Sequence, residues 1–91
     1  DTGVSGSVAN KVGDKIKEIS NDSQTIVITH LAQVAAKGDF HYLVSKNDIN
    51  GTTVSNIKII DGDAVVYEIA RMISGENVTE QALSLARELI M

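Results

Sequence analysis

The chain has 91 residues, 43% of them apolar and 22% charged, which is enough for one small domain with a core and too apolar for a disordered tail. It holds no cysteine, which excludes disulfide scaffolds, cysteine nucleophiles and thiolate metal sites. A net charge of −4 argues against a stand-alone nucleic-acid binder, and no apolar run approaches the length of a membrane span.

In chain order, Val4, Val8, Val12, Ile16 and Ile19 recur at helical spacing and predict an α-helix from about residue 5 to 20. Ser5 or Ser7 is placed to cap it, Asn21-Asp22-Ser23 to end it, and Gly13 marks a close contact with a neighbour. Lys11, Lys15 and Lys17 alternate with Asp14 and Glu18, which reads as a solvated mixed-charge face rather than a DNA patch. The β-branched run Thr25-Ile26-Val27-Ile28-Thr29 predicts an interior strand of a parallel sheet, covered on both faces. It ends at His30, and Leu31 to Ala36 predict a short helix stopping near Gly38.

Residues 39–61 predict a β-hairpin about a type I′ turn at Asn50-Gly51. That turn pairs Ile49 with Thr52, Val44 with Ile57 and Tyr42 with Ile59. Phe40, Tyr42, Val44, Ile57 and Ile59 then form an apolar face, while His41, Leu43, Ser45, Asn56, Lys58 and Ile60 form a half-polar one. Asp63 is expected to cap a helix carrying Val65, Val66, Ile69, Met72 and Ile73 inward, with Gly75 just past its end. Thr79 is expected to cap a last helix bearing Ala82, Leu83, Ala86, Leu89 and Ile90, with Val78 and Leu83 as a hydrophobic staple. The fold class is α/β, in the order α-β-(short α)-β-hairpin-α-α.

Candidate chemistry is sparse. His30 stands at the exit of a strand read as buried, near Thr29 and Gln33, where α/β sheets place their ligands. His41 lies two residues from Asp39, but two ligands are not a metal site, and a solvated surface histidine is the simpler reading. No GxGxxG follows a strand, no GxxxxGK[ST] occurs, and Ser5 and Ser7 lack a neighbouring base. The N-x-[ST] sequons at Asn21, Asn50 and Asn77 are read as chance occurrences, and Arg71 is read as an intrahelical partner of Glu68. The N-terminus carries neither an initiator methionine nor a signal segment, and the reading favoured is an excised fragment of a cytoplasmic protein.

Several segments together resemble the RecN family of SMC-like bacterial DNA repair ATPases. Asp1-Thr2-Gly3-Val4-Ser5-Gly6 looks like its D-loop, and Ile26 to Ala35, with Thr29-His30-Leu31-Ala32-Gln33 at its centre, looks like its switch-histidine loop. Lys46 and Gly51-Thr52-Thr53-Val54 fit its hairpin, and Tyr67 to Gly75, then Thr79 and Ala82-Leu83, look like its C-terminal end. Ala32 departs from the pattern, standing where the family commonly has proline.

The resemblance implies that residues 1–91 are one partial domain, the C-terminal lobe of an ABC/SMC-type P-loop ATPase head beginning just after Walker B. It implies ATP and Mg²⁺ as ligands of the parent, with nucleotide held between two heads of a homodimer, and a role in double-strand break repair and recombination. His30 would act on the γ-phosphate, Gln33 would contact the nucleotide, and Asp1, Thr2, Gly3, Val4, Ser5 and Gly6 would lie at the head–head interface. The Walker A lysine, the ABC signature and the Walker B carboxylates belong to segments outside these residues. The chain alone is therefore expected neither to hydrolyse ATP nor to bind it tightly, and to expose apolar surface where the N-terminal lobe belongs. DNA would be engaged through the parent protein, and no membrane is involved. The competing reading is a small non-enzymatic interaction module, which needs no catalytic constellation but leaves the Thr29-His30 placement without a purpose.

Overall fold

The structure, a computed structural model, describes residues 6–91. Helix α1 (Gly6–Ser20) begins and ends close to its expected limits, and Asn21 to Ser23 form the turn after it. Ser7 lies inside its first turn rather than at the cap, while Val4 and Ser5 fall outside the described residues. The face that packs is not the valine stripe. Ala9 and Gly13 are buried and Ile16 is half-buried, whereas Val8, Val12 and Ile19 stay exposed. The reason is the closeness of the neighbour: a Cβ on Gly13 would stand 3.0 Å from the Gln33 carbonyl oxygen and 3.4 Å from Val34 Cα. Two backbones that near can meet only over the smallest side chains, which turns the helix one step away from its valines.

The charged residues of α1 are distributed over solvent as expected. Lys15 pairs with Glu18 at 3.0 Å, Lys17 with Asp39, and Asp14 with Lys37 at 2.9 Å. The last two tie α1 to the segment around α2.

The expectation of an interior strand at Thr25–Thr29 is not met. Residues 24–29 carry no regular secondary structure, and Ile26 and Ile28 are 85% and 97% exposed. A β-branched run favours extended backbone, but a strand exists only through lateral hydrogen bonds, and no described strand pairs with this one. The short helix follows as α2 (Ala32–Ala35), with Ala32, Val34 and Ala36 buried.

Strands β1 (His41–Ile49) and β2 (Thr52–Ile60) form the hairpin in the expected register, with Ile49 opposite Thr52, Val44 opposite Ile57 and Tyr42 opposite Ile59. Asn50 (φ 49°) and Gly51 (φ 79°) both take positive φ, as a type I′ turn requires. Its apolar face, Phe40, Tyr42, Val44, Ile57 and Ile59, is more than half exposed at every position. The half-polar face supplies the contact with the rest of the domain: His41 and its cross-strand partner Ile60 are half-buried, and Ile60 packs on the core.

Helix α3 (Asp63–Ser74) starts one residue earlier than the capping reading required. Gly62 occupies the cap position and Asp63 is the first helical residue, making no side-chain cap bond. Its charge still lies beside the positive end of the helix dipole. Arg71 and Glu68 form the expected intrahelical pair, with Nε donating to Oε1 at 3.0 Å and Nη2 to Oε2. That bond raises the guanidinium above its ordinary range, against a smaller opposing effect of burial. Helix α4 (Glu80–Ile90) is capped as expected, the Ala82 amide donating to Thr79 Oγ1 at 3.0 Å. Val78 and Leu83, the staple pair, both pack on the core.

That core consists of Ala32, Ala36, Val65, Ile69, Ala70, Ala82 and Ala86, bordered by Val66, Met72, Ile73, Leu89 and Ile90. Alanines on the facing sides of α3 and α4 let the helices approach closely, leaving Ile69 as the large side chain that is fully buried. The fold is thus mixed, α-α-β-β-α-α, with a two-stranded antiparallel sheet among the described residues.

Candidate functional site

The packing of α1 on α2 through Gly13 brings the start of α1 beside the loop that leads into α2. A shallow hollow of about 560 Å³ opens there, lined by Gly6, Ser7, Asn10, His30 and Gln33 and by apolar side chains of α3 and α4, including Met72 and Leu89. Three of the residues singled out from sequence therefore meet: Gly6, His30 and Gln33. The approach is close, since a Cβ on Gly6 would lie 3.5 Å from the Gln33 side-chain nitrogen. Asp1, Thr2, Gly3, Val4 and Ser5 lie outside the described residues.

His30 itself is exposed, and the buried strand at whose exit it was expected is absent, the segment before it being unpaired among the described residues. Its backbone is nonetheless held. Thr29 Oγ1 accepts a hydrogen bond from the Leu31 amide at 3.0 Å, closing a tight turn whose tip is His30. Gln33 is half-buried on α2, with its side chain directed toward α1. In chemical terms the hollow offers an imidazole and a carboxamide, both able to donate to an anionic oxygen, on a surface that also carries apolar side chains of α3 and α4. None of its lining residues is a carboxylate, so an oxygen-seeking cation such as Mg²⁺ finds no anionic ligand there. Among the described residues no three His, Cys, Asp or Glu side chains converge to hold a metal.

His41 and Asp39 go separate ways. Asp39 pairs with Lys17, and His41 places Nε2 2.8 Å from the Ala35 carbonyl oxygen. His41 is therefore a bonded, half-buried group and not the solvated histidine expected from its place on the hairpin. The signal that would have found it is its pairing opposite Ile60, an apolar residue on a half-polar face.

No family model matches the chain. Whole-chain comparison does find relatives. The chain is 43% identical over 90 residues to the DNA repair protein RecN of Deinococcus radiodurans, an alignment covering 99% of this chain and 16% of that protein. It is 43% identical over the same length to RecN of Xylella fastidiosa and 42% identical to RecN of Rickettsia conorii. The chain spans about one-sixth of the length of these relatives, 16% in each case. By sequence it is a RecN-type segment, matched along nearly all of its own length.

Proposed function

We propose that this segment is part of the ATP-hydrolysing head of a DNA repair ATPase, and that it presents His30 to the γ-phosphate of bound ATP. The carrying observation is the convergence of Gly6, His30 and Gln33 on one hollow in a chain 43% identical to RecN over 90 residues. A histidine donor fixed by its backbone and aimed at developing negative charge lowers the barrier to phosphoryl transfer, because the donor need not reorganise as charge builds. Gln33 serves as a second donor beside it. The stretch Asp1 to Gly6 reaches across to the nucleotide of a second, identical head, and Gly6 lets backbone approach where a side chain would intervene.

In this reading ATP is held mainly by the N-terminal lobe of the head. That lobe also covers Ile26, Ile28 and the apolar hairpin face, all exposed here. Mg²⁺ in the complete head supplies charge neutralisation at the phosphates, and its ligands come from outside the described hollow. The parent would act in double-strand break repair and recombination in the cytoplasm, engaging DNA through its other parts. No described helix is long and apolar enough to cross a membrane.

The test is steady-state ATP hydrolysis by the full-length protein that contains this segment, wild type against His30→Ala. Loss of one donor to the transition state is expected to lower kcat by about a hundredfold. An unchanged kcat would remove His30 from the chemistry.

A further inference from the structure

We propose that His41 is a positioning residue for His30, holding the loop that carries it through the backbone of α2; this rests on the role given to His30 above. Three hydrogen bonds run in series between the two histidines. Thr29 Oγ1 accepts from the Leu31 amide at 3.0 Å, which closes the turn around His30. The Leu31 carbonyl accepts from the Ala35 amide at 3.0 Å. The Ala35 carbonyl in turn accepts from His41 Nε2 at 2.8 Å, on the first residue of β1. Because a carbonyl only accepts, Nε2 carries the proton.

The series matters because α2 cannot hold itself. It is four residues long, a single turn with no side-chain cap, and a helix that short is not stable on its own. Its position is set from outside, by Gly13 of α1 on one side, by the packing of Ala32 and Ala36 into the core, and by His41 at its C-terminal end. The hairpin, whose nine-residue strands are paired throughout, is the stiffer body. Without the His41 donor the Ala35 carbonyl keeps only the Gly38 amide at 3.2 Å, the hairpin loses its hydrogen bond to the end of α2, and the Leu31 carbonyl that anchors the His30 turn is held less firmly. His41 does not line the hollow, so its action on His30 runs through that backbone.

The experiment is a double-mutant cycle on ATP hydrolysis by the full-length protein, with His30→Ala, His41→Phe and the pair. Phenylalanine keeps the ring volume and removes the donor; His41→Gln restores a donor. Expected is a fall in kcat of about tenfold for His41→Phe, in the range that small misplacements of a catalytic group produce, with KM for ATP nearly unchanged. His41→Gln recovers most of the rate, and His41→Phe adds no further loss once His30 is alanine. An equal loss in both backgrounds, no loss in either, or a His41→Phe protein that fails to fold while His41→Gln fails to recover activity overturns the proposal. If instead His30→Ala is itself neutral, it is the γ-phosphate reading that fails.

Discussion

Gly13→Ala opposes two effects of known sign. Alanine is the better helix former, and in an exposed helix interior the change stabilises by about 1 kcal/mol. Here the new methyl group would stand 3.0 Å from the Gln33 carbonyl oxygen, 3.1 Å from Lys37 Cγ and 3.4 Å from Val34 Cα. The lysine stem can swing aside, but the other two atoms belong to the backbone of α2 and can yield only if the helices separate. Overpacking of this kind costs roughly 1–3 kcal/mol. Taking its middle value, about 2 kcal/mol, against the propensity gain leaves a net destabilisation of about 1 kcal/mol. In a domain of this size that lowers the melting temperature by about 4–8 °C. Thermal unfolding of the 91-residue chain followed by circular dichroism measures it, with exposed Lys11→Ala on the same helix as a control expected to move little. A Gly13→Ala chain that melts higher than wild type would refute the close approach of α1 to α2, and with it the geometry that brings Gly6 to Gln33.

Two further substitutions probe the helix cap and the hairpin turn. Thr79→Ala removes the acceptor for the Ala82 amide, and urea denaturation should report a loss of about 1 kcal/mol that Thr79→Ser largely restores. Gly51→Ala meets no atom within 4 Å, so its cost is purely conformational: a φ of 79° imposes about 1–2 kcal/mol on a residue with a Cβ. Faster amide exchange along β1 and β2 is the expected readout, and unchanged exchange would mean that the turn does not hold its positive φ.

The hairpin was fully legible because its information is local. Asn50-Gly51 dictates the turn, and once the turn is set the side-chain period of two dictates every pair down to His41 and Ile60. The Thr79 cap was legible for the same reason, resting on residues a few positions apart. Asp63 was misassigned by one position because Gly62 also begins a helix readily. The valine stripe of α1 misled for a different reason. Periodicity reveals that a helix has an apolar side, but the depth of contact with α2 decided which side is covered, and it is the side of small Ala9 and Gly13.

For the candidate site the division is sharper. The sequence by itself determined that Thr29 precedes a histidine, that a short helix follows, and that both sit in a chain without cysteine or phosphate-loop motifs. Its resemblance to RecN was readable from the order of a few short stretches, and comparison along 90 residues bears it out. Tertiary structure decided that Gly6, His30 and Gln33 share one hollow, that Thr25–Thr29 has no strand paired to it among the described residues, and that His41 is bound to Ala35. Each of these depends on a group far away in the chain, or on a lateral neighbour. Local propensity can favour a backbone shape, but it cannot supply the second half of a contact.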